Sequence, residues 1–224
     1  MITVQYSDEY NPLVNGIKML LYGPWGVGKT PLLATAPAPF IISAEKGMLS
    51  LRRTHTPFVE INSYKMLCDC YLWARDSQEA RQYFTLALDS LTEIAEVLLQ
   101  EEKRKSKDPR KAFYEVMDKV VDFSRAMRDL PGRTVVLVAK EEFSKDINGV
   151  QLFQPMMPGT KLGQALPYYF DEVIRMVVGS DAAKTRVLCT ASSYQHQARD
   201  RSGMLAEYEQ ANLTTIFKKI LGYQ

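Results

Sequence analysis

The sequence predicts a single α/β domain built on a mostly parallel sheet with helices on both sides. Short apolar segments alternate with longer amphipathic segments, which is typical of parallel strands joined by crossover helices. The strand candidates are apolar at nearly every position, as expected for strands that helices cover on both faces. With 224 residues and a hydrophobic content of 46%, the chain can bury one substantial core.

Seven apolar segments are expected to form the strands. They are residues 17–22, 40–44, 58–61, 83–88, 134–139, 172–178 and 185–191. A short turn, residues 179–184, separates the last two segments. These two therefore predict an antiparallel hairpin at the edge of the sheet, near the C-terminus.

Helical spacing of apolar residues predicts helices over residues 63–80, 90–105, 110–129 and 213–221. In the third helix the spacing places Phe113, Val116, Val120, Phe123 and Met127 on one side. The polar start of the chain, interrupted by a proline, is interpreted as an arm spanning residues 1–16. Residues 17–224 then form the core domain and end in a helix.

Composition sets limits on location and partners. The formal net charge is +2, so any contact with nucleic acid must come from local basic patches. Three cysteines in a chain of this size indicate a reducing compartment. Cys68 and Cys70 are interpreted as free thiols in a helix, the alternative being half of a metal site. The sequence has no run long enough to span a bilayer and no signal peptide, so we expect a cytoplasmic protein without a membrane partner.

The segment LLYGPWGVGKTPLL contains a phosphate-binding loop of the form G-x-x-x-x-G-K-[ST], with a strand before it and a helix after it. Its backbone N–H groups are expected to surround phosphate oxygens, while Lys29 reaches the β- and γ-phosphates and Thr30 binds Mg²⁺. The residues predicted to contact the nucleotide are Gly23, Pro24, Trp25, Gly26, Val27, Gly28, Lys29, Thr30 and Pro31.

Two acidic residues follow the ends of strand candidates. Asp89 closes the strand in YFTLALD and is predicted to position the Mg²⁺, the alternative being that Asp89 or Ser90 caps the next helix. Glu45 follows the strand in FIISAEKG. Its carboxylate either polarises the water that attacks the γ-phosphate or is an exposed loop residue.

The order of four segments, GPWGVGKT, FIISAEKG, LALDS and VVLVAKEE, resembles the core of RecA-type recombinases. The sequence is more similar still to phage Sak-type single-strand annealing ATPases. That similarity rests on Glu45, Gly47, Ser50 and Leu51, on Asp89, Ser90 and Leu91, on Pro158 and Gly159, and on Arg199, Asp200, Arg201 and Gly203. The resemblance covers nearly the whole chain from residue 17.

The resemblance implies a RecA-like ATPase that uses ATP and Mg²⁺, with Glu45 as the catalytic base. It places Lys140 where RecA-like cores have a polar sensor of the γ-phosphate. The family more often has an amide or histidine there, so Lys140 either contributes charge directly or is an ordinary strand-end lysine. Pro167 stands where RecA has a lysine that reaches a neighbouring subunit's ATP. Lys161 is the nearest substitute, the alternative being a solvent-facing lysine.

Two segments are candidates for DNA binding. A basic cluster lies between two predicted helices and suits phosphates without regard to sequence, although such clusters are often only solvated surface. A long segment, residues 141–160, carries a turn signal at Asn148–Gly149 and aromatic residues that suit base stacking, the alternative being a structural hairpin. The predicted DNA-binding residues are Lys103, Arg104, Lys105, Lys107, Arg110 and Lys111 in the cluster, and Phe143, Lys145 and Phe153 in the second segment.

These features favour a phage recombination protein that binds single-stranded DNA with ATP, promotes annealing or strand exchange, and lies in the host cytoplasm. Its ATPase activity is expected to depend on DNA and on assembly into a homo-oligomeric ring or filament, with the arm adding a strand to a neighbouring subunit. A need for a single-strand-binding protein stays open. Two alternatives remain: a P-loop kinase of a nucleoside or small metabolite, with Arg199 and Arg201 in its lid, and an annealing protein that binds ATP without turnover.

Overall fold

The computed structural model describes residues 15–106, 108–145 and 149–223. These residues form the predicted α/β fold around one ten-stranded sheet. Six strands run parallel, and an antiparallel hairpin continues the sheet on one side. The predicted arm lies almost entirely outside the described residues, as do Lys107 and Asn148.

The strands, in chain order, are β1 (Lys18–Gly23), β2 (Pro39–Ser43), β3 (Phe58–Glu60), β4 (Thr85–Asp89), β5 (Thr134–Lys145), β6 (Gln151–Pro155), β7 (Glu172–Val178), β8 (Arg186–Cys189), β9 (Arg199–Asp200) and β10 (Tyr208–Gln210). The sheet order is β10-β8-β7-β1-β5-β4-β2-β3, with β6 paired to β5 and β9 paired to β7. All six parallel strands therefore end at one edge, where ligands of open α/β sheets bind.

The helices are α1 (Lys29–Leu33), α2 (Tyr64–Asp76), α3 (Leu91–Lys105), α4 (Pro109–Arg128), α5 (Thr160–Ala165) and α6 (Leu213–Ile220). Side chains cap four of them at the N-terminus: Ser63, Ser90, Asp108 and Asn212 each accept a backbone N–H of the first turn. Among the described helices, none combines the length and apolar composition needed to cross a bilayer.

Successive residues of the central strands face two separate cores, because side chains alternate between the faces of a sheet. On one face, Leu20 and Tyr22 belong to the cluster that α2, α3 and α4 cover. On the other face, Met19 and Leu21 pack with residues of α1 and α6. Burial on both faces explains why these strands are apolar at nearly every position.

The observed elements depart from the predicted ones where polar residues change the chain's direction. The helix predicted over residues 63–80 ends at Asp76, because Ser77 is extended and its hydroxyl accepts the N–H of Glu79.

Phe113 was expected in the core but is 38% exposed, and its ring lies 5.4 Å from the Lys103 ammonium. The sequence reasoning also missed α5, β9 and β10, which are too short to show a clear period. Because β10 pairs with β8, the hairpin of β7 and β8 does not end the sheet.

β5 is twice as long as predicted, since it continues past the buried sheet as a two-stranded extension with β6. In this hairpin, Glu141 pairs with Pro155 and Phe143 lies directly opposite Phe153. The continuous burial expected of a covered strand stops at Ala139, and the polar residues beyond it hid the continuation of β5 in the sequence.

Glu172 opens β7 as a buried carboxyl group that is only 1% exposed. Its Oε1 accepts the N–H of Ser202 at 3.3 Å, and the carboxylates of Asp200 and Asp171 lie nearby, the latter paired with Arg201. Burial, together with repulsion from Asp200 and Asp171, raises the pKa of Glu172 from 4.5 to about 8. The folded protein therefore holds a proton here that the unfolded chain releases at neutral pH.

We expect Glu172→Gln to change how stability depends on pH. Because the folded pKa of Glu172 is raised, its contribution to stability is complete below pH 4.5 and is lost as the pH rises to about 8. Glutamine stays neutral, so the variant should be more stable than the parent at pH 8.5, by roughly 4 to 5 kcal/mol. Urea unfolding at pH 5, 7 and 8.5 measures this, with Glu60→Gln on exposed β3 as the control. Parallel pH profiles for parent and variant would refute the assignment.

Candidate functional site

A pocket of about 600 Å³ opens at the carboxyl ends of the central parallel strands. It brings together side chains from the loop after β1, the ends of β2, β4 and β5, and the start of β8. The residues that line it are Trp25, Gly26, Gly28, Lys29, Thr30, Pro31, Glu45, Ser50, Asp89, Lys140, Glu141, Met156 and Arg186. The residues predicted for phosphates, Mg²⁺ and water thus share one cavity.

The loop between β1 and α1 has the backbone that a phosphate cradle requires. Gly26 and Gly28 have φ values of 71° and 102°, a conformation that favours glycine, and Gly28 leads directly into α1 without a side-chain cap. The Lys29 ammonium donates to the carbonyl oxygens of Gly23 at 2.8 Å and Pro24 at 3.0 Å. Burial lowers the pKa of Lys29, while the nearby carboxylates of Asp89 and Glu45 oppose this shift.

Six of the nine residues predicted to contact nucleotide line the pocket, and three lie behind the loop. Val27 is buried in the core at 2% exposure. Gly23 packs so closely on β7 that a Cβ atom there would lie 2.3 Å from the carbonyl oxygen of Met176. Pro24 takes part through its carbonyl oxygen, which accepts the Lys29 ammonium. These three residues therefore support the conformation of the loop instead of lining the pocket.

Thr30 and Asp89 are in direct contact, so both can reach one ion bound beside them. The Thr30 hydroxyl donates to Oδ2 of Asp89 at 2.5 Å. Burial, reinforced by Glu45, raises the pKa of Asp89 to about 6, although the Thr30 hydroxyl and Lys29 oppose the rise. A hydroxyl and a carboxylate are hard oxygen donors, the kind Mg²⁺ prefers, so this pair fits that ion. The helix cap weighed for Asp89 is supplied by Ser90 instead.

Glu45 is held at the pocket by the residues that end β4. The Ser90 hydroxyl donates to Oε1 of Glu45 at 2.5 Å, and the N–H groups of Ala44 and Glu45 both donate to the Asp89 carbonyl oxygen. β2 and β4 are neighbours in the sheet, with Ser43 paired to Asp89. The carboxylates of Glu45 and Asp89 therefore project from adjacent strand ends into one cavity.

Lys140 lines the pocket, but its ammonium is also paired with carboxylates of α3. Its ammonium forms ion pairs with Glu93 at 2.7 Å and Glu96 at 3.2 Å. Although partial burial lowers the pKa of Lys140, the hydrogen bonds that its ammonium donates to these two carboxylates outweigh burial and raise the pKa above its usual value. Lys161 lies exposed on α5 and does not line the pocket of its own chain.

The next residue on β5 connects the pocket to the hairpin. Glu141 lines the pocket and forms a buried ion pair with Arg175 of β7, at 2.7 Å between Oε2 and Nε. The Arg175 guanidinium lies 4.0 Å from the centre of the Phe153 ring, which contacts the ring of Phe143 edge-on. Phe153 is therefore half-buried under an arginine, whereas Phe143 is 60% exposed.

The described residues of the basic cluster lie in the last turn of α3 and the first turn of α4, and not between the two helices as predicted. Lys103, Arg104, Lys105, Arg110 and Lys111 are all exposed. Glu102 reduces the local charge by pairing with Lys105 at 2.8 Å. Phe113, beneath Lys103, faces the loop after β6, because a Cβ atom on Gly159 would lie 3.8 Å from its ring. This packing joins the basic cluster to the base of the hairpin.

Sequence reasoning did not assign four residues that line the pocket: Ser50, Glu141, Met156 and Arg186. Ser50 is one of the residues that carry the similarity to Sak-type ATPases, so its spacing from Glu45 was an available signal. Glu141 and Met156 come from the unforeseen length of the β5–β6 hairpin. Arg186 lies far along the chain, and no local pattern marks it.

A second cavity, of about 660 Å³, lies at the other edge of the sheet, beside Ile17, Glu172 and Arg201. It contains no phosphate loop. Arg199 donates to the carbonyl oxygens of Pro167 and Phe170, and Arg201 pairs with Asp171. The two arginines considered for a kinase lid are thus held away from the nucleotide loop in this structure.

A glycine-rich loop between a parallel strand and a helix, with a paired threonine and aspartate beside it, defines a P-loop NTPase. The family model described as AAA domain matches residues 15–202. The chain therefore belongs to the AAA domain family and is a nucleotide-binding P-loop ATPase. No curated protein matches the chain.

Proposed function

We propose that this protein is a RecA-like recombination ATPase of the phage Sak type, which binds single-stranded DNA when ATP and Mg²⁺ occupy the pocket. Bound in this way, it promotes annealing or exchange of strands. ATP hydrolysis releases the DNA rather than transforming a substrate. The resemblance in segment order and the contacts described below support this proposal.

The observation that carries the proposal is the continuity of β5 from the nucleotide pocket into the hairpin. Lys140 and Glu141 line the pocket, and Phe143 stands exposed two residues further along the same strand. The buried Glu141–Arg175 pair holds the hairpin's Phe153 against β7. A charge placed in the pocket acts on Glu141, and any displacement of Glu141 moves the hairpin directly.

The surface beside this hairpin has the chemistry of a non-specific single-strand site. The exposed Phe143 supplies a stacking platform, and Lys145 supplies a charge next to it. Exposed basic residues at the end of α3 and the start of α4 add positive charge close to Phe113 of α4, whose ring lies near Gly159 in the loop after β6. Such a surface binds the phosphate backbone without reading sequence.

In the pocket, Lys29 and the loop N–H groups hold the phosphates, and Thr30 and Asp89 hold Mg²⁺, which neutralises phosphate charge when bound. Glu45 accepts the proton of the attacking water, with the Ser90 hydroxyl fixing its carboxylate. Lys140 senses the γ-phosphate through its ion pairs with α3.

Assembly completes the proposal. The protein forms a homo-oligomeric ring or filament in which Lys161, exposed on α5, reaches a neighbouring subunit's nucleotide. The arm of residues 1–16 supplies the contact between subunits, and a single-strand-binding protein is a partner in the cell. Against the kinase alternative, Arg199 and Arg201 make their contacts away from the phosphate loop.

The hairpin provides the test of the DNA site. Phe143→Ala should weaken binding to a fluorescent oligothymidine by about tenfold in the presence of Mg²⁺ and a slowly hydrolysed ATP analogue, because one stacked base is lost. Tyr208→Ala is the matched control, since Tyr208 is 58% exposed on β10 and Phe143 is 60% exposed.

The basic cluster is tested by the salt dependence of the same titration. Replacing both Lys103 and Arg104 by alanine should lower the slope of log K against log salt by about 1.4, or about 0.7 for each lost phosphate contact. Unchanged affinity in Phe143→Ala together with an unchanged slope in the double variant would place the DNA elsewhere or remove it from the function.

A further inference from the structure

An arginine from a distant part of the chain contacts the phosphate loop. Arg186 opens β8, where it pairs with Val178 of β7 across the antiparallel hairpin. Its Nε–H donates to the carbonyl oxygen of Val27 at 2.7 Å, a contact between residues 159 positions apart. The side chain thus reaches across from the hairpin to the middle of the loop.

The guanidinium lies directly on Gly28. A Cβ atom at this position would lie 2.6 Å from Nε of Arg186 and 3.4 Å from its Cζ. Gly28 therefore meets two demands, because its φ of 102° favours glycine and its missing side chain leaves room for the arginine. Any larger residue would push the guanidinium off the loop.

Among the residues that the structure describes, Arg186 has no carboxylate partner for its charge. Two other cations near the pocket do have carboxylate partners, since Lys140 pairs with Glu93 and Glu96, and Arg175 pairs with Glu141, whereas Lys29 donates to loop carbonyls. Within the described ranges, no carboxylate forms an ion pair with Arg186. Arg186 lines the pocket, so its guanidinium brings a positive charge to the cavity.

We propose that Arg186 binds the α- and β-phosphates of the nucleotide held by its own chain. In a phosphate loop the backbone N–H groups surround the α- and β-phosphates, whereas the lysine reaches the β- and γ-phosphates. Arg186 lies beside the backbone of Val27 and Gly28, which belongs to the part of the loop that surrounds the α- and β-phosphates. A planar guanidinium donates two N–H groups to phosphate oxygens at once, which a lysine cannot do.

The proposal rests on nucleotide binding by the loop and is independent of the DNA-binding role. Calorimetric titration of the full chain with Mg-ATP and with Mg-ADP tests it. Arg186→Ala and Arg186→Gln should each lose about tenfold or more in affinity, by the same factor for both nucleotides, because the γ-phosphate is not the contact. Arg186→Lys should lose less, since it retains the charge. Arg81→Ala, an exposed arginine before β4, should bind like the parent.

The opposing explanation is that Arg186 only supports the loop through the Val27 carbonyl. In that case Arg186→Gln, which keeps a donor of similar reach without charge, should restore affinity, and the nucleotide-free variants should melt at a lower temperature. Any of three results would overturn the proposal. They are restored nucleotide affinity in Arg186→Gln, unchanged affinity in Arg186→Ala, and a loss of affinity for Mg-ATP alone. If the parent chain does not bind DNA, the recombination role is refuted, but the assignment of Arg186 to nucleotide binding is unaffected.

Discussion

Lys29→Ala is expected to lose nucleotide binding almost completely, with the fold intact. Alanine removes the one ammonium that already projects from the loop and that donates to the carbonyl oxygens of Gly23 and Pro24. Phosphate oxygens replace these acceptors when nucleotide binds, and two charge-assisted hydrogen bonds are worth roughly 3 kcal/mol, or about a hundredfold in affinity. Calorimetric titration with Mg-ATP measures the loss.

The control for this variant is Lys65→Ala on α2, where the lysine pairs with Asp69 at the surface. The nucleotide-free Lys29→Ala protein should still unfold cooperatively, at a cost of no more than about 3 kcal/mol for the two charge-assisted hydrogen bonds to loop carbonyls that are lost. If Lys29→Ala binds Mg-ATP as tightly as the parent does, the loop between β1 and α1 is not the nucleotide site.

Glu45→Gln is expected to bind ATP normally and to hydrolyse it far more slowly. Glutamine keeps the shape of the side chain and can still accept the Ser90 hydroxyl, so the pocket should not change. An amide cannot accept the proton of the attacking water, and loss of a general base typically lowers kcat by about 10²- to 10⁴-fold. Steady-state hydrolysis should therefore show a reduced kcat with a nearly unchanged KM.

Glu79→Gln, on the surface before β4, is the control for the loss of a carboxylate. The important comparison is between binding and turnover in the same variant. If Glu45→Gln hydrolyses ATP at the parent's rate, Glu45 is not the catalytic base. The alternative, that Glu45 is only a loop residue, would then hold. A variant that fails to bind ATP would instead give Glu45 a binding role.

Structural features that depend on residues close together in the chain could be predicted from the sequence. The phosphate loop, the end of β4 at Asp89 and the strand before Glu45 follow from local spacing and apolar runs, and the α/β fold follows from their alternation. The contact between Thr30 and Asp89 was also foreseeable, since the carboxyl ends of parallel strands meet at one edge of the sheet.

Contacts made by distant parts of the chain could not be predicted in this way. Arg186 joins the pocket only because the hairpin of β7 and β8 carries it to Val27. The half-buried position of Phe153 depends on Arg175, a residue of another strand. Phe113 lies on the same predicted side of α4 as Val116 and Val120, yet it is 38% exposed, and helical spacing alone does not show where that side leaves the core.

The central claim is that the nucleotide in this pocket controls binding of single-stranded DNA at the hairpin. The most direct measurement is the affinity of the unaltered full chain for oligothymidine with a slowly hydrolysed ATP analogue, with ADP and without nucleotide, all with Mg²⁺ at one salt concentration. The account predicts binding at least about tenfold tighter with the ATP analogue than in the other two states, a coupling of roughly 1.4 kcal/mol. Equal affinity in all three states, or no binding in any of them, would contradict it.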